Sequence, residues 1–518
     1  MRTARFVLLL FVFLVNGAAA QVDLFVTDYL APQTAGAKPP GDHPTTVALL
    51  RATPGEYEPF TFLLRPRERY ESVFVKPAGP LAGEAGRIEA ARIEIRAVED
   101  YHGGEFDALG RVGRPWDLPA WQAEAFWVTV HVPDNAAPGL YNGEIVVTSN
   151  DQRIGALPVA LEVLPFQLDE PPYALGFNYS SPRNPKALAA HLRDMRAHGM
   201  TSVGPLYNFD LPIHDAATSE LGAFLEAYRA AGFARPVYFA APMSLMPALA
   251  GYGPVDSRRF QQKYLKTMRL LFDETQRHDV PVIFSIADEL TNQALPGIAT
   301  GEQLARLCFE ELPEIATASD MNGYQEVVTM APYLNVAAFN NGWDGIDHHN
   351  RGRRLINREF IGEVQGLGAI PWFVNGGLGR FAYGFFFWKM AGYGVQGKIE
   401  WYYNLGENER GSVVRCSGER IDPTLVYERS REGIDDLKYV LRLEKSIAQA
   451  RQTRQAGRVG TDAVRGGEAL LAELRAAVID NWTAYTSGGE AWSPEQLHAW
   501  RRRIIDAILA IEPARRSR

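Results

Sequence analysis

The first part of the chain alternates apolar and polar residues in short runs. From Gln21 to about Leu168, runs such as EPFTFLLRP, RIEIRAVEDY, AFWVTVHVP and ALPVALEVLPF have the period of two that is typical of half-buried strands, and Gly, Pro, Asn and Asp separate them. No convincing helical pattern intervenes. This pattern predicts an antiparallel β-sandwich over residues 21–168, in which VPDNAAPGLYNGEIVV forms a hairpin.

The pattern changes after residue 168. Short apolar runs now alternate with amphipathic helical stretches such as PKALAAHLRDMRAHG, which is typical of parallel β/α units. Eight predicted strands favour a closed (β/α)8 TIM-type barrel over residues 169–450. A doubly wound open sheet gives similar alternation, but it would usually carry an early glycine-rich phosphate loop, which this sequence lacks. The predicted strands are YALGFNY from 173, TSVGPLYN from 201, PVYFAAP from 236, PVIFSIA from 281, EIATAS from 314, NVAAFNN from 335, AIPWFVNGG from 369 and GKIEWYYN from 397.

The two ends of the chain have patterns of their own. Residues 451–518 are polar with helical periodicity, which predicts a short C-terminal helical extension. The N-terminus, MRTARFVLLLFVFLVNGAAA, has two arginines, an apolar run and small residues before Gln21, which is the layout of a signal peptide over residues 1–20. The apolar run is too short to span a bilayer, and no cysteine follows the predicted cleavage site. We therefore expect an exported protein, periplasmic or extracellular, without a membrane anchor.

The composition of the chain argues against some classes of binding partner. The chain has 518 residues, of which 46% are hydrophobic and 22% charged, and this balance is typical of a soluble multidomain protein. Its net charge of −8 argues against nucleic acid or anionic lipid as a partner. Cys308 and Cys416 are predicted to be buried thiols, because a chain of this size can form its core without disulfides. No CxxC, HExxH or clustered histidine spacing indicates a metal or a cofactor, and the pattern leaves the oligomeric state open.

Candidate chemistry lies where the predicted strands end. In a barrel these ends converge on one open face, and the fourth strand, PVIFSIA, stops at two adjacent acids, Asp288 and Glu289. Aromatic rings with amide and carboxylate groups are what a sugar requires, since its C–H face stacks on rings and its hydroxyls need donors and acceptors. Each of these residue types also occurs in turns, caps and cores, but here they accumulate on one predicted face. The other candidates for substrate binding are Asn178, Tyr207, Asn208, Asn340, Asn341, Trp372, Asn375, Glu400, Trp401 and Tyr403.

An ordered set of motifs spans most of the chain up to about residue 445. The motifs are GEYEPFTF (55–62), PDNAAPGLYNGEIVV (133–147), HLRDMRAHGMTSV (191–203), ADEL (287–290), GRFAYGFFFWKMAGYGVQGKIEWYYN (379–404) and YERSREGIDDLKYVL (427–441). This set resembles glycoside hydrolase family 123 and the related exported proteins that share its catalytic domain type. What the resemblance implies is a β-sandwich followed by a (β/α)8 barrel, acting on β-linked N-acetylhexosamine, especially N-acetylgalactosamine, through an adjacent Asp-Glu pair. This chain has Leu290 after the pair, where family members commonly have proline.

Under this resemblance the two acids have different tasks. The 2-acetamido oxygen of the sugar attacks the anomeric carbon, Asp288 accepts the acetamido N–H, and Glu289 protonates the leaving oxygen. A second hypothesis is a conventional retaining β-glycosidase in which Glu289 is the acid and Glu400 the nucleophile. A third is a non-catalytic glycan-binding protein. All three predict a carbohydrate ligand.

The catalytic hypotheses make geometric predictions. Asp288 and Glu289 should reach one pocket on the C-terminal face of the barrel, near Trp372, Trp401 or Tyr403. Glu289 should be the drier of the two and carry the higher pKa, because a general acid must hold its proton near neutral pH. A second acidic pair, Asp435 and Asp436 in SREGIDD, lies in a helical pattern well beyond the eighth strand, and we interpret it as a structural network.

Overall fold

The computed structural model describes residues 22–30, 45–99, 107–206, 209, 211–212, 219–340, 357–406, 411–454, 461–480 and 491–512. The predicted signal peptide and the candidates Tyr207, Asn208 and Asn341 lie outside these residues. The chain divides into two compact units, Met1–Val98 with Arg111–Phe166, and Glu99–Gly110 with Gln167–Arg518. No helix in the described part of the chain has both the length and the apolarity needed to cross a membrane.

Strands dominate the chain before residue 167. One antiparallel sheet has β3 between β1 and β10, with β7 on the other side of β10. A second sheet has the order β2-β12-β11-β4-β9, with the short strands β5 and β6 beside β11. The strands are β1 (Val22–Thr27), β2 (Ala48–Ala52), β3 (Tyr57–Pro66), β4 (Tyr70–Pro77), β5 (Leu81–Gly83), β6 (Gly86–Ile88), β7 (Ile93–Glu99), β8 (Ala108–Arg111), β9 (Trp116–Leu118), β10 (Glu124–His131), β11 (Gly139–Ser149) and β12 (Gln152–Val163).

The two sheets share one apolar core, as a sandwich requires. Phe62 and Phe126 of the first sheet pack in the same cluster as Val147 and Leu161 of the second. The strand pairs of these sheets are antiparallel, as predicted, except that β2 and β12 run parallel. These two strands are far apart in sequence, so no tight turn obliges them to run in opposite directions.

The predicted hairpin at VPDNAAPGLYNGEIVV is wrong. The strands on either side of this segment, β10 and β11, belong to different sheets, so the segment is a connection from one sheet to the other. The Tyr141 hydroxyl donates a hydrogen bond of 2.8 Å to the carbonyl oxygen of Ala137 and holds this corner. Gly139 has φ +149°, a conformation that favours glycine. Pro138 and Gly139 therefore belong to a turn that connects the two sheets, and not to a hairpin turn within one sheet.

Eight parallel strands form the barrel of the second unit, and all eight predicted strands are present. Their order is β14-β13-β20-β19-β18-β17-β16-β15. Hydrogen bonds from the amides of Tyr238 and Ala240 to the carbonyls of Val203 and Pro205, at 3.0 and 3.1 Å, join the two ends of this order. The barrel strands are β13 (Ala174–Tyr179), β14 (Gly204–Pro205), β15 (Val237–Phe239), β16 (Val282–Asp288), β17 (Thr317–Met321), β18 (Val336–Phe339), β19 (Ile370–Val374) and β20 (Gly397–Glu400).

Helices surround and follow these strands, and a hairpin of β21 (Val414–Ser417) and β22 (Arg420–Pro423) follows the last of them. Capping side chains stabilise the first turns of two helices. At the start of α1 the Asn184 side chain accepts hydrogen bonds from the amides of Lys186 and Ala187. At the start of α11, Ser493 forms a capping box with Gln496. The helices are α1 (Pro185–Ala197), α2 (Ser219–Ala230), α3 (Leu245–Ala248), α4 (Arg258–His278), α5 (Ala294–Glu311), α6 (Tyr324–Met330), α7 (Arg358–Gly366), α8 (Phe387–Ala391), α9 (Leu425–Arg454), α10 (Thr461–Ala477) and α11 (Pro494–Ile511).

Buried polar residues join the C-terminal helices to the segment after β19. Asp436 on α9 accepts hydrogen bonds from Arg380 and Arg501, and Arg501 also binds Glu432. Asp435 pairs with Lys438 one turn along the same helix. The acidic pair of SREGIDD therefore belongs to a helix-packing network, as interpreted from its helical pattern. Cys308 and Cys416 are both buried and free.

Candidate active site

A pocket of about 230 Å³ opens at the C-terminal ends of the barrel strands. Its walls come from seven of the eight strands or from the segments that directly follow them. The acidic pair and Trp401 meet there, as the closed barrel predicts, because strands distant in sequence converge at this face. The lining residues are Asn178, Leu206, Met243, Asp288, Glu289, Asp320, Val374, Asn375 and Trp401.

An irregularity at the end of β16 brings both acids to this pocket. On a regular strand two successive side chains point to opposite faces. Here the register with β17 shifts between Ser285 and Asp288, and Glu289 has φ +44°, in the left-handed region. The Glu289 amide donates to the carbonyl oxygen of Asp320 at 2.7 Å, which ties the turn to the neighbouring strand. The left-handed conformation costs about 1–2 kcal/mol for a residue other than glycine, and this bond helps to offset that cost.

A buried carboxylate supports the segment that follows the pair. Glu326 on α6 accepts from the amides of Leu290 and Thr291 at 2.8 and 3.2 Å, and from the Thr291 hydroxyl at 2.8 Å. Burial raises the pKa of Glu326 to about 7, against the effect of these donors, which lower it. β17 and α6 therefore both help to fix the backbone from Glu289 to Thr291.

The Glu289 carboxylate is held by amide groups. The Asn340 side chain, at the end of β18, donates to Oε1 at 3.1 Å, and Asn292 donates to Oε2 at 3.2 Å. Asn292 is itself oriented by a 3.1 Å hydrogen bond from Asn322. Asn340 does not line the pocket, but its hydrogen bond positions the Glu289 carboxylate that does. These two bonds fix the direction in which Glu289 faces the pocket.

Glu289 is the less exposed of the two acids, as predicted, and the pKa of Asp288 is raised. Asp288 remains open to solvent through the pocket, yet the surrounding protein raises its pKa to about 6, with desolvation as the larger cause and repulsion by Glu289 as the second. The sequence identified two adjacent acids. The pKa of Asp288 depends on the walls that the other strands build, and these walls cannot be read from the ADEL motif.

Asp320 is a third acid of the pocket, and the sequence analysis missed it. It lies beside Asp288 on the adjacent strand and accepts a hydrogen bond from the Tyr238 hydroxyl, with Ser285 at 3.5 Å. Burial, with repulsion by Asp288, raises the pKa of Asp320 well above its usual range. Asp320 is the residue before the last in the fifth strand, which was predicted at residues 314–319 and is observed at Thr317–Met321. A correct boundary would therefore have included Asp320 among the residues at strand ends.

Asn178, Asn375 and Trp401 line the pocket, as predicted from the strand ends. Asn178 is 3% exposed, and its Oδ1 has no hydrogen-bond partner among the described residues. Asn375 has φ +51°, and its Oδ1 accepts from the Trp401 amide at 3.0 Å, which positions the tryptophan. The Trp401 side chain is 41% exposed, so its ring is available to a ligand.

Trp372 and Tyr403 do not line the pocket. Trp372 belongs to the core inside the barrel and stacks on Tyr238 at a ring separation of 5.7 Å, below the pocket. Tyr403 is fully buried, and its hydroxyl donates to Asp194 of α1 at 2.9 Å. Both residues were predicted from their position at strand ends, but position along a strand does not fix the face on which a side chain lies.

Glu400 also faces away from the pocket. Ile399 points into the barrel core, so its neighbours Lys398 and Glu400 point outward. Glu400 is 2% exposed, lies 3.4 Å from Lys398 and accepts the Gly376 amide at 2.6 Å. Burial raises its pKa to about 6, although Lys398 and the Gly376 amide oppose the shift. These contacts give Glu400 a structural role behind the last strand.

No protein-family model and no curated protein matches the sequence. Among solved structures, a family 123 glycoside hydrolase from Clostridium perfringens, studied for glycolipid glycan hydrolysis, matches with a TM-score of 0.63 and 12% identity, over 94% of this chain and 97% of that chain. A family 39 glycoside hydrolase from Bacteroides cellulosilyticus WH2 matches with a TM-score of only 0.37 and 11% identity, over 76% and 82% of the two chains. The chain therefore shares the fold of the family 123 enzyme over almost its entire length.

Proposed function

We propose that the protein is an exported glycoside hydrolase, a retaining β-N-acetylhexosaminidase of the N-acetylgalactosaminidase type that uses substrate-assisted catalysis. The observation that carries this proposal is the convergence of Asp288 and Glu289 on one pocket with an exposed tryptophan. The fold shared with the family 123 enzyme agrees with it. A sugar could stack on Trp401, and the unpaired Oδ1 of Asn178 could accept one of its hydroxyls.

In the first step, the 2-acetamido oxygen attacks the anomeric carbon while the bond to the leaving oxygen breaks. Glu289 gives its proton to that oxygen, and ionised Asp288 accepts the acetamido N–H and stabilises the positive charge of the cyclic intermediate. Water then attacks the anomeric carbon, returns a proton to Glu289 and restores the acetamido group. The protein supplies no nucleophile, so the burial of Glu400 is no obstacle to this reaction.

The raised pKa of Asp288 agrees with this role once a substrate is bound. In the free protein, burial and repulsion by Glu289 disfavour the ionised form of Asp288. A bound acetamido N–H favours that ionised form, because a donor to a carboxylate lowers its pKa. Substrate binding therefore produces the ionised Asp288 that the proposed mechanism requires.

The conventional retaining mechanism receives less support. A nucleophile must reach the anomeric carbon in the pocket, and Glu400 lies on the opposite face of β20 beside Lys398. The non-catalytic hypothesis does not account for the unusual backbone at Glu289, which costs free energy and turns a second acid into the pocket.

The test combines one variant with two leaving groups. Glu289→Gln should lower kcat by about 10²- to 10⁴-fold on a substrate with a sugar leaving group, but much less on an activated aryl glycoside, which hardly needs the proton. Glu314→Gln makes the same chemical change at an exposed position and should have no effect. Equal losses on both leaving groups would reject Glu289 as the acid.

The role of the acetamido group is tested separately. Aryl β-glycosides that carry a 2-acetamido group should be hydrolysed, whereas the matched substrates with a 2-hydroxyl should be nearly inert. A thiazoline analogue of the cyclic intermediate should inhibit strongly. Efficient hydrolysis of plain β-galactosides or β-glucosides would contradict substrate assistance.

A further inference from the structure

A second cavity, of about 280 Å³, adjoins the active-site pocket. The two cavities share Asp288 and Met243, but Glu289 lines only the first. The second cavity lies between the segment that follows β15, which includes α3, and the segment from the end of β16 into α5. It therefore extends the pocket on the side of Asp288.

The walls of this second cavity are mainly apolar. Met243, Met246 and Pro247 come from the segment after β15, and Ile286, Leu290 and Leu304 come from β16 and the segment that follows it. Sugar hydroxyls would lose hydrogen bonds to water on entering such a space, whereas an alkyl chain would gain from leaving water. Methionine side chains are also adaptable, so they can pack around chains of different length. The chemistry of the walls fits an alkyl group.

The shared residue indicates which part of the substrate this alkyl group belongs to. In the proposed reaction, Asp288 contacts the N–H of the 2-acylamido group and Glu289 contacts the leaving oxygen. A cavity that contacts Asp288 and not Glu289 therefore lies on the acyl side of the substrate and not on the leaving-group side. A cavity for one water needs only about 10–15 Å³. The observed space thus far exceeds what the methyl of an acetyl group fills.

We propose that this cavity holds the acyl chain of the 2-acylamido group, so that the enzyme accepts N-acyl hexosamines with chains longer than acetyl. The inference rests on the proposed function and adds a substrate class to it. Each buried methylene can contribute up to about fourfold in affinity, which offsets the cost of ordering a longer chain.

The experiment compares aryl β-glycosides that differ only in the acyl group: acetyl, propionyl and butyryl. For the unmodified protein, kcat/KM should fall by less than tenfold from acetyl to butyryl. Met246→Trp fills the cavity from its partly exposed edge and should lower the butyryl-to-acetyl ratio by at least tenfold. Ala248→Trp places the same side chain on the exposed side of α3, outside the cavity lining, and should leave the ratio unchanged.

The outcomes separate this inference from the proposed function. If the acetyl substrate is hydrolysed but the butyryl substrate falls by tenfold or more, or if Met246→Trp leaves the ratio unchanged, the inference is overturned and the proposed function stands. If the acetyl substrate is inert, the proposed function fails and the inference fails with it. Should Met246→Trp not fold, Ser244→Phe fills the same cavity from another position and carries the same expectation.

Discussion

Replacing Asp436 by asparagine should destabilise the protein strongly without removing its activity. Asp436 is fully buried, and it accepts hydrogen bonds from Arg380 at 2.6 and 3.1 Å and from Arg501 at 2.5 Å. The substitution keeps the shape but removes the charge, so two buried guanidinium groups lose the carboxylate that they share. Removing one partner of a buried ion pair costs about 3–5 kcal/mol.

The pH dependence of this effect has a definite sign. Burial alone would raise the pKa of Asp436, but the attraction of Arg380 and Arg501 prevails and lowers it below the usual 3.8. A carboxyl whose pKa is lowered on folding stabilises the protein above its unfolded pKa, and this stabilisation is lost as the pH falls through the folded value. The difference between wild type and variant should therefore be full at pH 7 and shrink in strong acid.

Thermal unfolding followed by circular dichroism measures the effect. A loss of about 3–5 kcal/mol should lower the Tm by roughly 4–7 °C for a unit of this size, because the entropy of unfolding grows with the number of residues. Asp462→Asn is the matched control, because Asp462 pairs with Arg465 on the surface, where an ion pair contributes only about 0–1 kcal/mol. Below its Tm the Asp436 variant should retain kcat within about twofold of wild type. An unchanged Tm together with a hundredfold loss of kcat would refute the structural interpretation and make Asp436 a functional residue.

Three further predictions concern the pocket and its surroundings. In the proposed mechanism the reaction requires ionised Asp288, whose pKa is raised to about 6. The kcat/KM on an activated aryl substrate should therefore fall as the pH drops through about 6, and an acid limb below pH 4.5 would contradict this. Trp401→Ala should lower kcat/KM by about 2- to 10-fold with little change in Tm, since the ring is exposed and a stacking contact contributes about 0.5–1.5 kcal/mol. Glu400→Gln should lower the Tm because buried Lys398 loses its charged partner, yet the folded variant should keep its kcat, and restoration of a lost kcat by azide would instead identify Glu400 as the nucleophile.

The strand periodicity was sufficient to predict the barrel and the face on which its site lies. All eight predicted strands exist, and the rule that strand ends converge led to Asp288, Glu289 and Trp401 in one pocket. The position of a residue at a strand end did not predict whether its side chain faces the pocket or the outside of the barrel. Glu400 and Trp401 are adjacent in the sequence, but one lies behind the last strand and the other lines the pocket. The choice depends on which neighbour enters the barrel core, and here that neighbour is Ile399.

Other features depend on contacts that a single sequence does not contain. The pKa of Asp288 reflects walls contributed by several strands, and the apolar cavity beside it forms only where the segments after β15 and β16 meet. Asp320 was missed because the fifth strand was predicted to end at residue 319, two residues before its observed end. Boundaries are less certain than the existence of a strand, because the ends of a strand are set by partners as well as by its own residues.

The anchoring of the backbone from Glu289 to Thr291 has a consequence for protein engineering. These residues are bonded to β17 and to Glu326 of α6, and the Glu289 carboxylate is also bonded to Asn292. The stretch that begins at Gln293, on the wall of the apolar cavity, makes none of these bonds, so it can be exchanged while the acidic pair stays in place. Libraries that vary the sequence of the chain between Asn292 and the body of α5 should therefore yield altered acyl preference with little loss of kcat.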